Sequence, residues 1–162
     1  MASTSIKAKE LMRRKDKEIT SRKEIEAIIR KSTVCRLALT DEEYPYLVPL
    51  CFGYKDNSLY FHSSPKGKKL DLIKKNNTVC FEFDIVHEIK VADSPCEWGM
   101  KYESVIGFGE ASFIEDPDSK QKALDIIMEQ YSDRSSLCSE TKVRQTVIIK
   151  VEIMRMTGKR SR

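Results

Sequence analysis

The sequence lacks any run of apolar residues that approaches the roughly 20 needed for a membrane-spanning helix. Its first residues, 1–20, are polar and basic, and they contain no apolar stretch of the kind found in secretory signals. These two absences predict a cytoplasmic protein with no membrane partner.

Motifs for metal binding and for several common enzyme classes are also missing. The only histidines are His62 and His87, and no two of the five cysteines are separated by the two residues typical of zinc and redox motifs. We therefore predict no metal site and reduced cysteines. The chain also has no glycine-rich βα fingerprint and no Ser-His-acid motif context, which argues against a Rossmann nucleotide site and a hydrolase.

The composition is that of one ordinary globular domain. The 162 residues are 40% hydrophobic and 33% charged, with a formal net charge of +4. This weak basic excess suits an anionic ligand but is far from a nucleic-acid-binding signature, so no nucleic-acid partner is predicted. Much of the excess lies at the two ends. We therefore divide the chain into a basic N-terminal segment (1–20), a domain (21–158) and a C-terminal tail (159–162).

Apolar periodicity predicts six strands and three helices. Short turns between the early strands favour antiparallel hairpins, and mostly antiparallel strands favour a closed or partly closed barrel. The predicted strands are Val34–Leu39, Tyr46–Tyr54, Ser58–His62, Val79–Val86, Tyr102–Glu115 and Thr146–Met156. The predicted helices are Ser21–Lys31, with Ser21 as its cap, a short helix opened by Ser64 and Pro65 and ended by Asn76, and one from Asp116 to about Tyr131.

The segment from Tyr60 to Lys69 carries the strongest functional signal. It ends a strand and opens a helix, whose first turn presents unpaired N–H groups and the positive end of the helix dipole. Ser63 and Ser64 could donate hydrogen bonds to a phosphate, while Lys68 and Lys69 could neutralise its charge. The alternative is a common Ser-Pro helix start with solvated lysines. The neighbouring His62 is either a proton carrier or ligand, or a strand-end residue bonded to a nearby loop.

Two further segments could contact a flat heterocycle. Pro49 lies within a predicted strand and has no N–H to donate to a sheet hydrogen bond. This strand is therefore predicted to lie at a sheet edge or to contain a bulge. Either arrangement leaves backbone groups free to contact the polar rim of a heterocycle. Pro49 could equally just protect the edge from aggregation. The only tryptophan, Trp98, could stack on a flat ring together with Tyr102, or the two could form an ordinary aromatic pair beneath a loop.

At these residues the sequence resembles the pyridoxamine 5'-phosphate oxidase-like FMN-binding split barrels, in the branch related to nitroimidazole-resistance proteins. No single matching segment is specific to this family, but the set of segments in this order is. The match spans roughly residues 12–159. The matching pieces include Arg36-Leu37-Ala38, Pro45 to Leu50, Leu59 to Ser63, Gly67-Lys68-Lys69, Val79 to Glu82, Cys96, Trp98, Tyr102, Ser104 to Ile106, and Thr157-Gly158-Lys159. The sequence departs from the family at Thr78, where relatives often carry proline.

The resemblance implies a six-stranded antiparallel split β-barrel with flanking helices that forms a homodimer with two FMN sites at the subunit interface. It implies that the isoalloxazine edge lies along Val48, Pro49 and Leu50. It also implies that the ribityl phosphate is surrounded by His62, Ser63, Ser64, Lys68 and Lys69. Trp98 would come from the partner chain or from the loop above the ring.

The resulting functional hypothesis is an FMN-dependent oxidoreductase. It would pass electrons from a reduced nicotinamide or similar donor to a small acceptor such as a nitroaromatic, with His62 as the only plausible side-chain acid or base. One alternative is a module that binds flavin or haem without efficient turnover, in which His62 or His87 could ligate iron. A third is the oxidation of pyridoxamine phosphate itself, against which stands the lack of an evident arginine-rich second phosphate site.

Overall fold

The fold is described from a computed structural model that covers residues 12–133 and 139–162. The strands are β1 Glu18–Ile19, β2 Cys35–Leu39, β3 Tyr46–Leu50, β4 Gly53–Lys55, β5 Ser58–Ser63, β6 Thr78–Lys90, β7 Gly99–Ile114 and β8 Val147–Ser161. The α-helices are α1 Arg22–Lys31, α2 Lys68–Lys75, α3 Pro117–Glu129 and α4 Glu140–Gln145.

All strand pairs in the sheet are antiparallel, in the order β3-β2-β6-β7-β8-β5-β4, with the short β1 paired to β8. The alternating pattern of each strand places one set of side chains in a common core, which includes Leu37, Phe61, Phe81 and Val105. The predicted fold class is confirmed: this is the antiparallel split barrel with flanking helices.

Two helices begin where the sequence predicted. The hydroxyl of Ser21 accepts a hydrogen bond from the Glu24 N–H at 3.4 Å and caps α1. A carboxylate oxygen of Asp116 accepts one from the Ser119 N–H at 2.8 Å, with Pro117 in the first turn of α3. Each side chain satisfies a donor that the first turn of a helix leaves without a partner.

Several predicted strand boundaries were wrong. The segment Tyr46–Tyr54 is two strands, β3 and β4, separated by residues 51–52. The last strand does not end at Met156. It continues through Ser161, because its polar end still pairs with β7. In that pairing Gly158 lies opposite Val105, and Ser161 lies opposite Tyr102. The β6–β7 hairpin also continues into the stretch expected to be irregular, as far as Lys90 opposite Gly99. The helix α4 and the strand β1 were not predicted at all.

Helix α3 packs directly against the backbone of β4. A Cβ atom added to Gly53 would lie only 2.6 Å from the carbonyl oxygen of Ile126 in α3. The missing side chain at this position therefore sets how closely the helix approaches the sheet.

We expect Gly53→Ala to lower the free energy of unfolding by about 1–3 kcal/mol, because overpacking a well-filled contact costs energy of that order. Urea denaturation measures the effect. Gly99→Ala is the matched control, since a Cβ atom there would meet nothing within 4 Å. Equal unfolding midpoints for the two variants would contradict this account of the contact between α3 and β4.

Candidate functional site

The candidate anion site lies between the end of β5 and the start of α2. The short helix was expected to start at Ser64 and Pro65, but it begins three residues later, at Lys68. The cause is local. The Ser64 hydroxyl donates a hydrogen bond to the Lys66 carbonyl oxygen at 3.0 Å, which folds the loop on itself, and Gly67 takes the N-cap position with φ 148°. That φ value strongly favours glycine.

The two serines of this segment hold the loop. Ser63 is buried, and its hydroxyl donates a hydrogen bond to the Ser64 carbonyl oxygen at 3.0 Å. Ser64 is exposed at the surface. Because hydroxyl groups rotate freely, both could redirect their protons to an anion bound at the N-terminal end of α2.

Lys68 connects α2 to the β2–β3 hairpin. Its ammonium nitrogen lies 2.6 Å from an oxygen of Asp41, in the turn after β2, and 5.5 Å from the ring centroid of Tyr46, the first residue of β3. The hydrogen bond from Lys68 lowers the pKa of Asp41, and the same bond raises the pKa of Lys68. The following residue, Lys69, is partly buried and forms no ion pair within the described residues. The contact brings the start of α2 against the hairpin that contains Val48 to Leu50.

Strand β3 forms one end of the sheet path and, among the described strands, pairs with β2 alone, so the predicted edge position of the Pro49 strand is confirmed. Val48 and Leu50 pack against the core, while Pro49 points away from it, opposite Arg36 of β2. The free edge of β3 leaves backbone groups available to the rim of a ligand.

His62 lies close to the start of α2, whereas Trp98 lies far from it. His62 is exposed near the end of β5, opposite Ile148 of β8. Trp98 is 53% exposed at the far end of the β6–β7 hairpin, where its indole N–H donates to the Ala92 carbonyl oxygen at 2.8 Å. Since β6 has 13 residues, the hairpin end lies about 40 Å from the Thr78 end of the strand. Within one chain, Trp98 is therefore not brought to the start of α2.

Sequence reasoning missed two sets of polar partners. One is Asp41, which only the folded hairpin places beside Lys68. The other is a cluster on the side of the sheet that points away from the core, in which Arg36 contacts both Glu82, at 3.0 Å, and Asp84. The available signal was the alternation of Glu82 and Asp84 in β6 and the single charged residue, Arg36, in β2, but joining them requires the register that pairs Arg36 with Glu82.

Other kinds of site find no support in the part of the chain that the structure describes. Residues 12–133 and 139–162 contain no group of three or more His, Cys, Asp or Glu side chains arranged to hold a metal ion. No helix in those ranges is both long and apolar enough to cross a bilayer. Four free cysteines are described, with Cys35 buried, Cys80 partly buried, and Cys51 and Cys96 exposed. The fifth, Cys138, lies outside the described residues.

Comparison with known proteins identifies one family by sequence and by structure. A sequence profile of the pyridoxamine 5'-phosphate oxidase family matches residues 21–160. A solved structure of a candidate 5-nitroimidazole antibiotic resistance protein from Bacteroides thetaiotaomicron is 38% identical, with a TM-score of 0.80 over 88% of this chain and 85% of that one.

One structural similarity at lower sequence identity shows the fold alone. The FAD- and haem-binding protein of Mycobacterium smegmatis is 22% identical, with a TM-score of 0.80 over 90% of this chain and 73% of that one. An uncharacterized Rhizobium meliloti protein is 31% identical over 64 residues, a match that spans 40% of this chain and 42% of that protein.

The contact between Lys68 and Asp41 can be tested by titration. We expect the pKa of Asp41 to lie below the ordinary aspartate range and to rise toward it in Lys68→Ala, because the ammonium stabilises the carboxylate form. The ion pair stabilises the fold above the ordinary aspartate pKa, and this contribution is lost as pH falls through the lowered value. Carboxyl-carbon NMR of labelled aspartate measures both values. An unchanged Asp41 titration in the variant would show that the ion pair does not persist in solution.

Proposed function

Because the chain belongs to the pyridoxamine 5'-phosphate oxidase family, in the branch related to nitroimidazole-resistance proteins, we propose that it is an FMN-binding oxidoreductase. Its reaction passes electrons from a reduced nicotinamide or similar donor to a small acceptor such as a nitroaromatic. The observation that carries the proposal is the position of Lys68, which starts α2 and touches the hairpin of the free edge strand.

The residues around the start of α2 fit a phosphate monoester. The first turn of this helix offers N–H groups without intrahelical partners and the positive end of the dipole. Ser63 and Ser64 add hydroxyl donors, and Lys68 and Lys69 add two positive charges. Asp41 offsets one of those charges, so a bound phosphate competes with Asp41 for the Lys68 ammonium.

The edge of β3 fits the polar rim of the ring system. With the phosphate at α2, the contact of Lys68 with Tyr46 directs the rest of the cofactor along β3 toward Val48, Pro49 and Leu50. Backbone N–H and carbonyl groups on a free edge can hydrogen-bond the ring without any change in the sheet. The side chains of Val48 and Leu50 face the core, so they support this edge from behind.

The flavin, when bound, supplies the redox chemistry, and the chain supplies binding and orientation. His62 is exposed next to the two serines, where its imidazole can give a proton to a reduced acceptor or take one from a donor. Edge N–H groups of β3 stabilise negative charge that develops at the rim of the ring.

The position of Trp98 supports a homodimer. A ring stacked at the β3 edge is not reached by Trp98 of the same chain: Pro49 lies level with Glu82 of β6, across Arg36, and the hairpin continues eight residues further, about 27 Å, to Lys90 before Trp98 is reached. A second copy can supply it. We therefore place two flavin sites between two copies, each covered by the tryptophan of the other.

Purified protein should be yellow, release FMN on denaturation, and oxidise a reduced nicotinamide when a nitroimidazole is supplied. Bound flavin without turnover would instead identify a binding module. A Soret band formed on haem addition and lost in His62→Ala would identify a haem site. Turnover with pyridoxamine phosphate would support the third hypothesis, and absence of any flavin or haem binding would contradict all three.

Lys68→Ala should weaken FMN binding by roughly 1–3 kcal/mol, the scale of a lost charge-assisted hydrogen bond. Quenching of FMN fluorescence gives the dissociation constant. Lys74→Ala is the matched control, because it removes the same charge from the last turn of α2. Unchanged affinity in Lys68→Ala would remove Lys68 from the phosphate site, and the same measurement on Lys69→Ala determines what the second lysine contributes.

A further inference from the structure

A cleft of about 480 Å³ lies between helix α3 and the sheet, and we call it the α3 cleft. Its sheet wall is formed by residues of β4, β5, β7 and β8, in which Tyr60 of β5 lies directly opposite Lys150 of β8. Its helix wall is formed by side chains between positions 119 and 129 of α3. Pockets that bind small molecules have volumes of about 300–1,000 Å³, so this cleft has room for one. It shares no lining residue with the candidate anion site at the start of α2.

Helix α3 is fixed to the rest of the fold at two points, so the walls of the cleft are held in place. Near the start of the helix, the Lys120 side chain is buried. Its ammonium donates hydrogen bonds to the carbonyl oxygens of Thr146, at 3.0 Å, and Arg144, at 3.4 Å. Further along, the helix packs on β4, where a Cβ atom on Gly53 would lie 2.6 Å from the Ile126 carbonyl oxygen. A site that is formed in advance costs a ligand little ordering on binding.

Apolar groups form part of the lining. Ile114 and Ile126 are only partly buried there, and Ala123 lies on the same helix wall. The Tyr60 side chain is also partly buried, and its hydroxyl bonds to no described residue. A ligand with an apolar body would remove this surface from water, and Tyr60 offers it both an aromatic ring and a hydroxyl donor.

The rest of the lining carries both signs of charge without pairing them. Three ammonium groups and three carboxylates line the cleft: Lys55, Lys122, Lys150, Asp56, Asp125 and Glu129. None of the six forms an ion pair with a described residue. Lys150 and Asp125 are partly buried, and the Asp125 carboxylate accepts a hydrogen bond from Nε2 of Gln121 at 3.0 Å. Both charges therefore lose hydration without gaining a partner of opposite charge, which a complementary ligand would provide.

Register places these two partly buried charges on either side of the Tyr60 ring. Gly53 and Lys150 are the two cross-strand neighbours of Tyr60, so they lie about 10 Å apart. Ile126 lies directly over Gly53, and Asp125 precedes it in the helix. A small molecule centred on Tyr60 can therefore contact both Lys150 and Asp125.

We propose that the α3 cleft binds a free α-amino acid with a large apolar side chain. The ligand carboxylate pairs with Lys150, its ammonium pairs with Asp125, and its side chain packs against the Tyr60 ring and the two isoleucines. The remaining lysines and carboxylates at the rim surround the two ligand charges with groups of both signs.

The charges of the lining select this class of ligand. An anion would leave three carboxylates facing it, a cation would leave three lysines, and a neutral apolar molecule would cover six charges without pairing any. The six groups sum to zero charge at neutral pH, as does an α-amino acid. A zwitterion alone pairs both signs within one small molecule.

Binding is tested with L-phenylalanine and two analogues that keep its ring but lack one charge each. 3-Phenylpropanoate lacks the ammonium, and phenethylamine lacks the carboxylate. Each is titrated into the isotope-labelled full chain and followed by amide NMR. We expect L-phenylalanine to bind saturably with a dissociation constant of about 1 mM or lower and to shift the resonances of Tyr60 and Ile126. Each analogue should bind at least about tenfold more weakly, because it leaves one set of charges unpaired.

Variants of the two central charges locate the site. Lys150→Met and Asp125→Asn each remove one charge while keeping a side chain of similar size, and each should weaken L-phenylalanine binding at least about tenfold. Lys74→Met on α2 and Asp118→Asn in the first turn of α3 are the matched controls, since neither residue lines the cleft. If circular dichroism shows that a cleft variant does not fold, Lys150→Gln or Asp125→Gln replaces it.

Three results would overturn the assignment: no saturable binding of L-phenylalanine, an analogue that binds as tightly as L-phenylalanine, or unchanged affinity in the cleft variants. The assignment does not rest on flavin binding. Lys68→Ala should leave L-phenylalanine binding unchanged, and Lys150→Met should leave FMN binding unchanged, so each site stands or fails separately.

Discussion

The free edge of β3 is the constraint on which the rest of the structure depends. A barrel that closed fully would pair every strand on both sides, but β3 and β4 end the path of the sheet without pairing with each other. Pro49 lies within β3 and has no N–H to offer to a ladder, which suits an edge and resists further pairing. At this free edge the start of α2 lies against the β2–β3 hairpin, through the contacts of Lys68 with Asp41 and Tyr46.

The two faces of the sheet serve different purposes. The inner face is filled with large apolar side chains such as Phe81 and Phe83, and helices close it. The opposite face keeps exposed apolar side chains such as Ile106 and Met154. In the proposed homodimer, Trp98 at the end of the extended hairpin belongs to a flavin site of the other copy.

Much of the architecture could be predicted from the sequence because local patterns determine it. Ser21 and Asp116 mark helix starts through hydrogen bonds that span three residues, and strict alternation identifies most strands. The polar end of β8 could not be predicted in this way. Lys159 to Ser161 show no apolar alternation, and they form a strand only because β7 pairs with them.

The candidate site could also be predicted only where local residue types determine it. The segment from His62 to Lys69 could be identified from its residue types, although the helix starts later than expected because the hydroxyl of Ser64 bonds within its own loop. Asp41 and the Arg36–Glu82–Asp84 cluster could not be found, since their partners are distant in the sequence and meet only through strand register.

The central claim is that the start of α2 and the adjoining serines and lysines form an anion site for a flavin phosphate. A crystal structure of the chain grown with FMN tests it most directly. We predict the phosphate at the N-terminal end of α2, within hydrogen-bond distance of Lys68 or Lys69 and of a serine hydroxyl, with the ring system along β3. A flavin bound elsewhere, with Lys68 still paired to Asp41 and solvent at the N-terminal end of the helix, would contradict the account.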